Sequence, residues 1–193
     1  MLKVDRAEAL RYMRMGAATP DDEMLRRLEK VERDVLASVR PASCREMVAV
    51  SDAGPEAVRV GPLLLPGRDL RRALAGCGRA FLFAATLGAG VDAYLRRCGQ
   101  TSAADLVMAQ GVATALIEAY CDECCRDMAS SLGGAALAPR FSPGYGDLPL
   151  SVQRPLLEAL DASRRAGVAL TDSFLMVPSK SVSAIVGVRD PAD

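Results

Sequence analysis

Between Arg140 and Pro149 the chain reads Arg-Phe-Ser-Pro-Gly-Tyr-Gly-Asp-Leu-Pro. Two prolines and two glycines in so short a stretch rule out a regular helix or strand. Pro143-Gly144 suits a tight turn, because Gly144 is free to take positive φ. Such a turn holds Arg140 and Tyr145 a few residues apart in fixed positions. Arg140 offers a permanent planar charge for a carboxylate or phosphate, and Tyr145 offers a ring face and a hydroxyl. Taken alone, the stretch also reads as a surface loop whose Arg caps a nearby helix and whose Tyr packs on the core.

The flanking chain supplies apolar elements. Asp5 to Met15 reads as a short helix. Thr19-Pro20-Asp21-Asp22 reads as a helix start, with Thr19 as cap and Pro20 in the first turn. That helix runs to about Val39 on a stripe of Met24, Leu25, Leu28, Val31 and Val35. Glu46–Ser51 and Ala57–Leu65 read as strands, Gly67–Ala75 as a short helix, and Arg79–Thr86 as a buried central strand. Leu87-Gly88-Ala89-Gly90 lacks the third glycine of a dinucleotide fingerprint and reads as close strand-to-helix packing before a helix over Val91–Cys98. Thr101-Ser102-Ala-Ala-Asp105 has a capping-box pattern and opens a helix reaching about Ser130.

That long helix is apolar around most of its circumference except for one ridge, Gln110, Thr114, Glu118, Asp122 and Arg126. Glu118 lies among apolar residues, so its carboxylate must reach water or find a positive partner. Ser151–Arg165 reads as the last helix. Val168–Leu170, Phe174–Val177 and Val182–Val188 read as closing strands. The pattern predicts one domain over 1–193, with 1–40 as its helical N-terminal segment and no repeats or linker.

Composition narrows the function. Lys+Arg and Asp+Glu both total 24, so no net charge favours nucleic acid or a lipid surface, and neither is expected as a partner. Aromatic residues make up 4%, too few for a base-stacking platform. The absence of histidine removes His-dependent triads and any histidine ligand to a metal. No signal-peptide pattern or membrane-spanning run is evident, which predicts the cytoplasm. Cys121, Cys124 and Cys125 share a helix face, yet no further Cys-x-x-Cys or His completes a zinc set. They read as small buried hydrophobes, with no metal site expected.

Arg140, Tyr145 and Glu118 together suit a zwitterion: Arg takes a carboxylate, Glu takes an ammonium, and Tyr contacts a cation or a flat ring. The residues alone do not choose among amino acid derivatives. Three motifs in order make that choice: Arg140-Phe-Ser-Pro-Gly-Tyr145, Leu170-Thr-Asp-Ser-Phe-Leu-Met-Val-Pro178 and Ser181-Val-Ser-Ala184. They resemble the activation domain of cobalamin-dependent methionine synthase. Ala84-Ala-Thr-Leu-Gly88 and Ala115-Leu-Ile-Glu118 extend the likeness, and Phe-Ala-Ala-Thr-Leu-Gly looks most like short, free-standing members.

The resemblance implies an α+β fold, a curved and mostly antiparallel sheet flanked by helices. It implies S-adenosylmethionine as ligand, held by Arg140, Tyr145, Glu118 and the backbone around Ser142 and Gly144. Tyr145 would stand between the methyl donor and the cobalt. Cobalamin would be carried by a partner, either methionine synthase modules or another corrinoid protein, with a flavodoxin-like reductant. The activity implied is reductive remethylation of cob(II)alamin, with no methionine made by this chain alone. A module that caps a corrinoid protein without S-adenosylmethionine is the alternative, and an unrelated small-molecule methyltransferase a third. Gly146-Asp-Leu-Pro-Leu-Ser replaces a His-containing family segment, and Gly134 stands where the family has an acidic residue.

Overall fold

The structure is a computed structural model and describes residues 2–13 and 21–190. Its N-terminal helices are α1 (Arg6–Tyr12) and α2 (Asp22–Ser38). A meander follows, of β1 (Ala42–Asp52), β2 (Ala57–Val60) and β3 (Leu63–Pro66), then α3 (Arg68–Ala73) and β4 (Arg79–Thr86). Next come α4 (Ala89–Thr101), α5 (Ala103–Ser130) and the short β5 (Ala136–Leu137). The chain closes with α6 (Gln153–Ala159), α7 (Ala162–Ala166), β6 (Ala169–Leu170), β7 (Met176–Val177) and β8 (Ser181–Arg189).

Six strands form one sheet in the order β3-β2-β1-β4-β8-β5, and every registered pair is antiparallel. β4 and β8 are its centre, with Phe81 opposite Val186, Leu82 opposite Ile185 and Phe83 opposite Ala184. Side chains alternate across a strand, so this register sends Phe81 and Phe83 to one face and Ala80, Leu82 and Ala84 to the other. On the first face they join a core with α1, α2, α4 and α5. On the second they join Leu70 and Leu74 of the α3 region and Leu156, Leu157 and Leu160 of the α6 region. The fold is α+β with an antiparallel sheet, as the resemblance implies.

The long helix is α5, and eleven of its residues are buried, which suits its low amphipathicity. Ser102 caps it by accepting from Asp105 N–H at 3.2 Å, half of the expected capping box. The reciprocal half is missing because Asp105 turns to Arg27 at 2.5 Å instead. The close-packing reading of Leu87–Gly90 also holds. A Cβ at Gly88 would come within 2.6 Å of the Arg40 carbonyl, and one at Gly90 would collide with the Ser38 carbonyl. Both glycines let β4 turn into α4 beneath the end of α2.

Several boundaries differ from the sequence reading. Ala57–Leu65 is two strands, since Gly61-Pro62 turns the chain between β2 and β3. Ser151–Arg165 is not one helix: a 3-10 turn leads into α6, and Asp161 at φ 49° separates it from α7. β7 begins at Met176, because Phe174 takes φ 61°. The cap of α2 is Asp21, accepting from Met24 N–H at 2.8 Å. Thr19, Pro20 and the stretch after Met13 lie outside the described residues.

Gly90→Ala is expected to lower folding stability by on the order of 1–3 kcal/mol, because the added methyl meets backbone rather than a yielding side chain. Chemical denaturation measures it, and an unchanged midpoint would contradict the packing account.

Candidate functional site

The two helical layers meet at the outer edge of β8. β5 covers only the C-terminal end of that edge, with Leu137 opposite Val188. Ala138 N–H then donates to the Gly187 carbonyl at 2.8 Å, and Phe141 and Ile185 exchange both backbone bonds at 2.9 and 2.8 Å. Two residues on, Pro143 sits at the corner of a turn and has no N–H to give. Pairing stops there, and a cleft of about 750 Å³ opens. Its walls are Glu118, Asp122 and Cys125 of α5, loop residues Leu137 to Arg140, Ser142, Pro143 and Tyr145, then Gln153, Met176, and Ser181 to Ser183.

The loop is shaped by the residues that forbid helix. Tyr145 N–H donates to the Ser142 carbonyl at 3.1 Å across Pro143 and Gly144, with Gly144 at φ 90°. This is a type II turn, with proline and glycine where their backbones suit it. Gly144 shapes the turn and is not part of the cleft wall. Asp147 ties the loop down. Its carboxylate accepts from Arg68 N–H at 2.8 Å and Asp69 N–H at 3.1 Å, capping α3 from outside. Those backbone bonds hold its carboxyl below the usual carboxylate range. Leu148 is fully buried beside it.

Arg140 reaches from the loop onto the polar ridge of α5. It donates to Glu118 Oε2 at 2.8 Å and to Asp122 Oδ1 at 2.6 Å, and approaches Cys125 Sγ at 3.8 Å. Its side chain is 22% exposed, while those of Glu118 and Asp122 remain 44% and 59% exposed on the cleft side. Burial works against the Arg140 charge, but the bonds to Asp122 and Cys125 outweigh it and hold the guanidinium firmly protonated. Two carboxylates against one guanidinium leave this wall with one net negative charge. One turn away on the ridge, Thr114 Oγ1 accepts from Lys180 Nζ at 2.9 Å. Burial lowers the pKa of that lysine.

The structure thus brings Arg140, Glu118, Ser142 and Tyr145 to one cleft. It also pairs Arg140 with Glu118, so the two do not stand apart as separate arms. Tyr145 neither packs on the core nor is sequestered: it is 61% exposed at the cleft mouth, edge-on to Phe141 at 6.4 Å. Arg140 caps no helix. Asp122, Cys125, Gln153 and Met176 went unassigned as site residues in the sequence. The spacing of Asp122 four residues after Glu118 was its signal; Gln153 and Met176 gave none, since only the tertiary fold brings them here. The thiols are Cys125, half-buried, and five that are buried. Burial pushes the Cys121 thiol up to about 12. Among the described residues no group of His, Cys, Asp or Glu is placed to hold a metal ion, and no helix is long and apolar enough to cross a membrane.

Residues 78–192 match the family model of the vitamin B12-dependent methionine synthase activation domain. The chain belongs to this family. The match covers more than half of the sequence and every residue of the cleft. It begins one residue before β4, so α1 to α3 and β1 to β3 precede it. Among solved structures, the chain is similar to the crystal structure of the MetH reactivation domain bound to AdoHcy. The TM-score is 0.73 at 17% identity, over 98% of this chain and 75% of that one. At that identity the likeness is one of fold. No curated protein sequence matches the chain.

Exposure makes Cys125 a reporter for the cleft. Titration of the native protein with a thiol reagent is expected to modify one cysteine rapidly, with all six reacting after denaturation. Rapid native reaction of Cys121 or Cys124 would contradict the burial of the α5 face.

Proposed function

We propose that the cleft binds S-adenosylmethionine and that the chain serves the reductive remethylation of cob(II)alamin carried by a partner corrinoid protein. The observation that carries this reading is the charged wall, Arg140 held between Glu118 and Asp122. S-adenosylmethionine bears a carboxylate, an ammonium and a sulfonium, one net positive charge against the wall's one net negative charge. Glu118 and Asp122 keep exposed carboxylate surface for the cationic groups. Arg140 keeps donors for the ligand carboxylate, since a guanidinium has five N–H bonds and makes few here. The Ser142 carbonyl closes the turn, so its N–H is the backbone group left for the ligand. The cleft volume suits a molecule of this size. Asp122 also supplies acidity beside Arg140, although Gly134 lacks the acidic side chain of the family pattern.

When bound, S-adenosylmethionine supplies an electrophilic methyl group. The partner's cobalt, given one electron by a flavodoxin-like reductant, would accept it and leave S-adenosylhomocysteine. This chain's residues bind and orient. Arg140, Glu118 and Asp122 fix the amino acid end. Tyr145, exposed at the mouth, would face a docked corrinoid. The chain lacks histidine, so a cobalt ligand of that kind would come from the partner. Membership of the vitamin B12-dependent methionine synthase activation family supports an assembly of this kind. One observation favours the alternative of a capping module without this ligand: Arg140 is already ion-paired within the protein.

Calorimetry with S-adenosylmethionine separates the two. Binding is expected, tighter than that of S-adenosylhomocysteine, with the gap narrowing as salt screens the sulfonium. Arg140→Ala is expected to weaken binding by about tenfold or more, as for loss of a charged hydrogen-bond partner. No heat and no thermal shift at millimolar ligand would overturn the reading. In a reconstituted assay with a cobalamin-carrying partner and chemical reductant, Tyr145→Ala is expected to slow remethylation far more than it weakens ligand binding. A wild-type rate would remove Tyr145 from the mechanism.

A further inference from the structure

Gln153 opens α6 and is 4% exposed, one of the few polar side chains buried in the described structure. Its Nε2 donates to the Phe174 carbonyl at 3.4 Å. A carbonyl only accepts, so this bond fixes which end of the amide faces Phe174 and which faces away. Flipping the amide would set two acceptors against each other. Among the described residues none donates to the oxygen that faces away. It is not sealed off either, because no fully buried side-chain N or O among the described residues lacks a partner. The residue lines the cleft. Phe174 is held in turn: it sits at φ 61°, its N–H donates to the Thr171 carbonyl at 3.1 Å, and Arg154 lies over its ring at 5.6 Å. The acceptor is therefore preset before any ligand arrives.

This acceptor is neutral and belongs to the other half of the cleft. Glu118 and Asp122 stand on α5, whose core lies on one face of the sheet. Leu156 and Leu157 of α6 pack on the other. Between them runs the open edge of β8. Phe141 bonds outward to Ile185, and Lys180 accepts inward from Leu87 N–H at 3.0 Å. Alternation along the strand then turns the N–H and C=O of Ser183 outward, where no described strand pairs with them. One end of the cleft is thus ionic. The other presents neutral hydrogen-bonding groups on largely buried residues, Gln153 and Ser183.

We propose that Gln153 is a specificity residue that accepts a hydrogen bond from the 6-amino group of the ligand's purine. The inference rests on the S-adenosylmethionine reading of the same cleft and names what selects the adenine end. A 6-oxo purine would set its oxygen against Gln153 Oε1, and the amide cannot turn without losing Phe174. A buried acceptor left facing another acceptor rejects the wrong ligand more strongly than a missing contact does.

The test compares S-adenosylmethionine with S-inosylmethionine, its 6-oxo counterpart, by calorimetry on the full chain. The wild type is expected to prefer the adenosyl form by about tenfold or more. Gln153→Leu, a helix-compatible change of similar size, is expected to bring the two affinities within about twofold of each other. A merely structural role would weaken both ligands together and leave their ratio unchanged, and that result would overturn the proposal. Equal affinities in the wild type would overturn it without any variant, even if Gln153→Leu failed to fold. In that outcome S-adenosylmethionine still binds and the broader reading stands. If the wild type binds neither ligand, both readings fail.

Discussion

Strand β4 has no face left for water. Its residues from Ala80 to Thr86 are all buried, and the strands on either side of it, β1 and β8, occupy its edges. A strand in that position must be covered by an apolar layer above and another below. The α1, α2, α4 and α5 group supplies one, and the α3, α6 and α7 group the other. Two layers separated by a sheet can share a cavity only where the sheet ends. That place is the outer edge of β8, where Pro143 stops the pairing begun by Ala138 and Phe141. The position of the cleft therefore follows from the burial of β4 and one proline.

The cleft inherits its chemistry from the same arrangement. One side chain, Arg140, crosses from the loop to α5 and is met by two carboxylates at i and i+4. Without the guanidinium these carboxylates would repel each other; with it they form a compact group with one negative charge in excess. The group is part-buried, so solvent screens it less than an exposed pair. The loop carrying Arg140 is pinned at Phe141 by β8 and at Asp147 by α3. Such anchoring limits the ordering cost that a ligand would otherwise bear on binding.

Much of this was legible in the chain. The turn at Pro143-Gly144, the long central helix and its polar ridge follow from local rules, because each depends on residues near one another in sequence. The ridge even stated the need of Glu118 for a positive partner. That this partner is Arg140 is a tertiary fact, carried only by the resemblance that put both in one site. The departure Gly146-Asp147 reads differently once folded. Asp147 spends its carboxylate on the start of α3, a contact spanning 79 positions to Arg68 that no local pattern announces. Gly61-Pro62 did announce the turn between β2 and β3, and apolar residues on both sides masked it. The break at Asp161 was masked, because a single aspartate inside an apolar helical pattern also reads as solvated helix surface, and its left-handed backbone shows only in the fold.

Protection of Cys125 tests the central claim most directly, since its thiol lines the cleft beside Arg140 and Asp122. Its alkylation rate in the native protein would be followed by mass spectrometry as S-adenosylmethionine is added. The account predicts a saturable slowing at Cys125, abolished or shifted to higher concentration in Arg140→Ala. An unchanged rate at millimolar ligand, in protein shown to be folded, would contradict the assignment of this cleft as the ligand site.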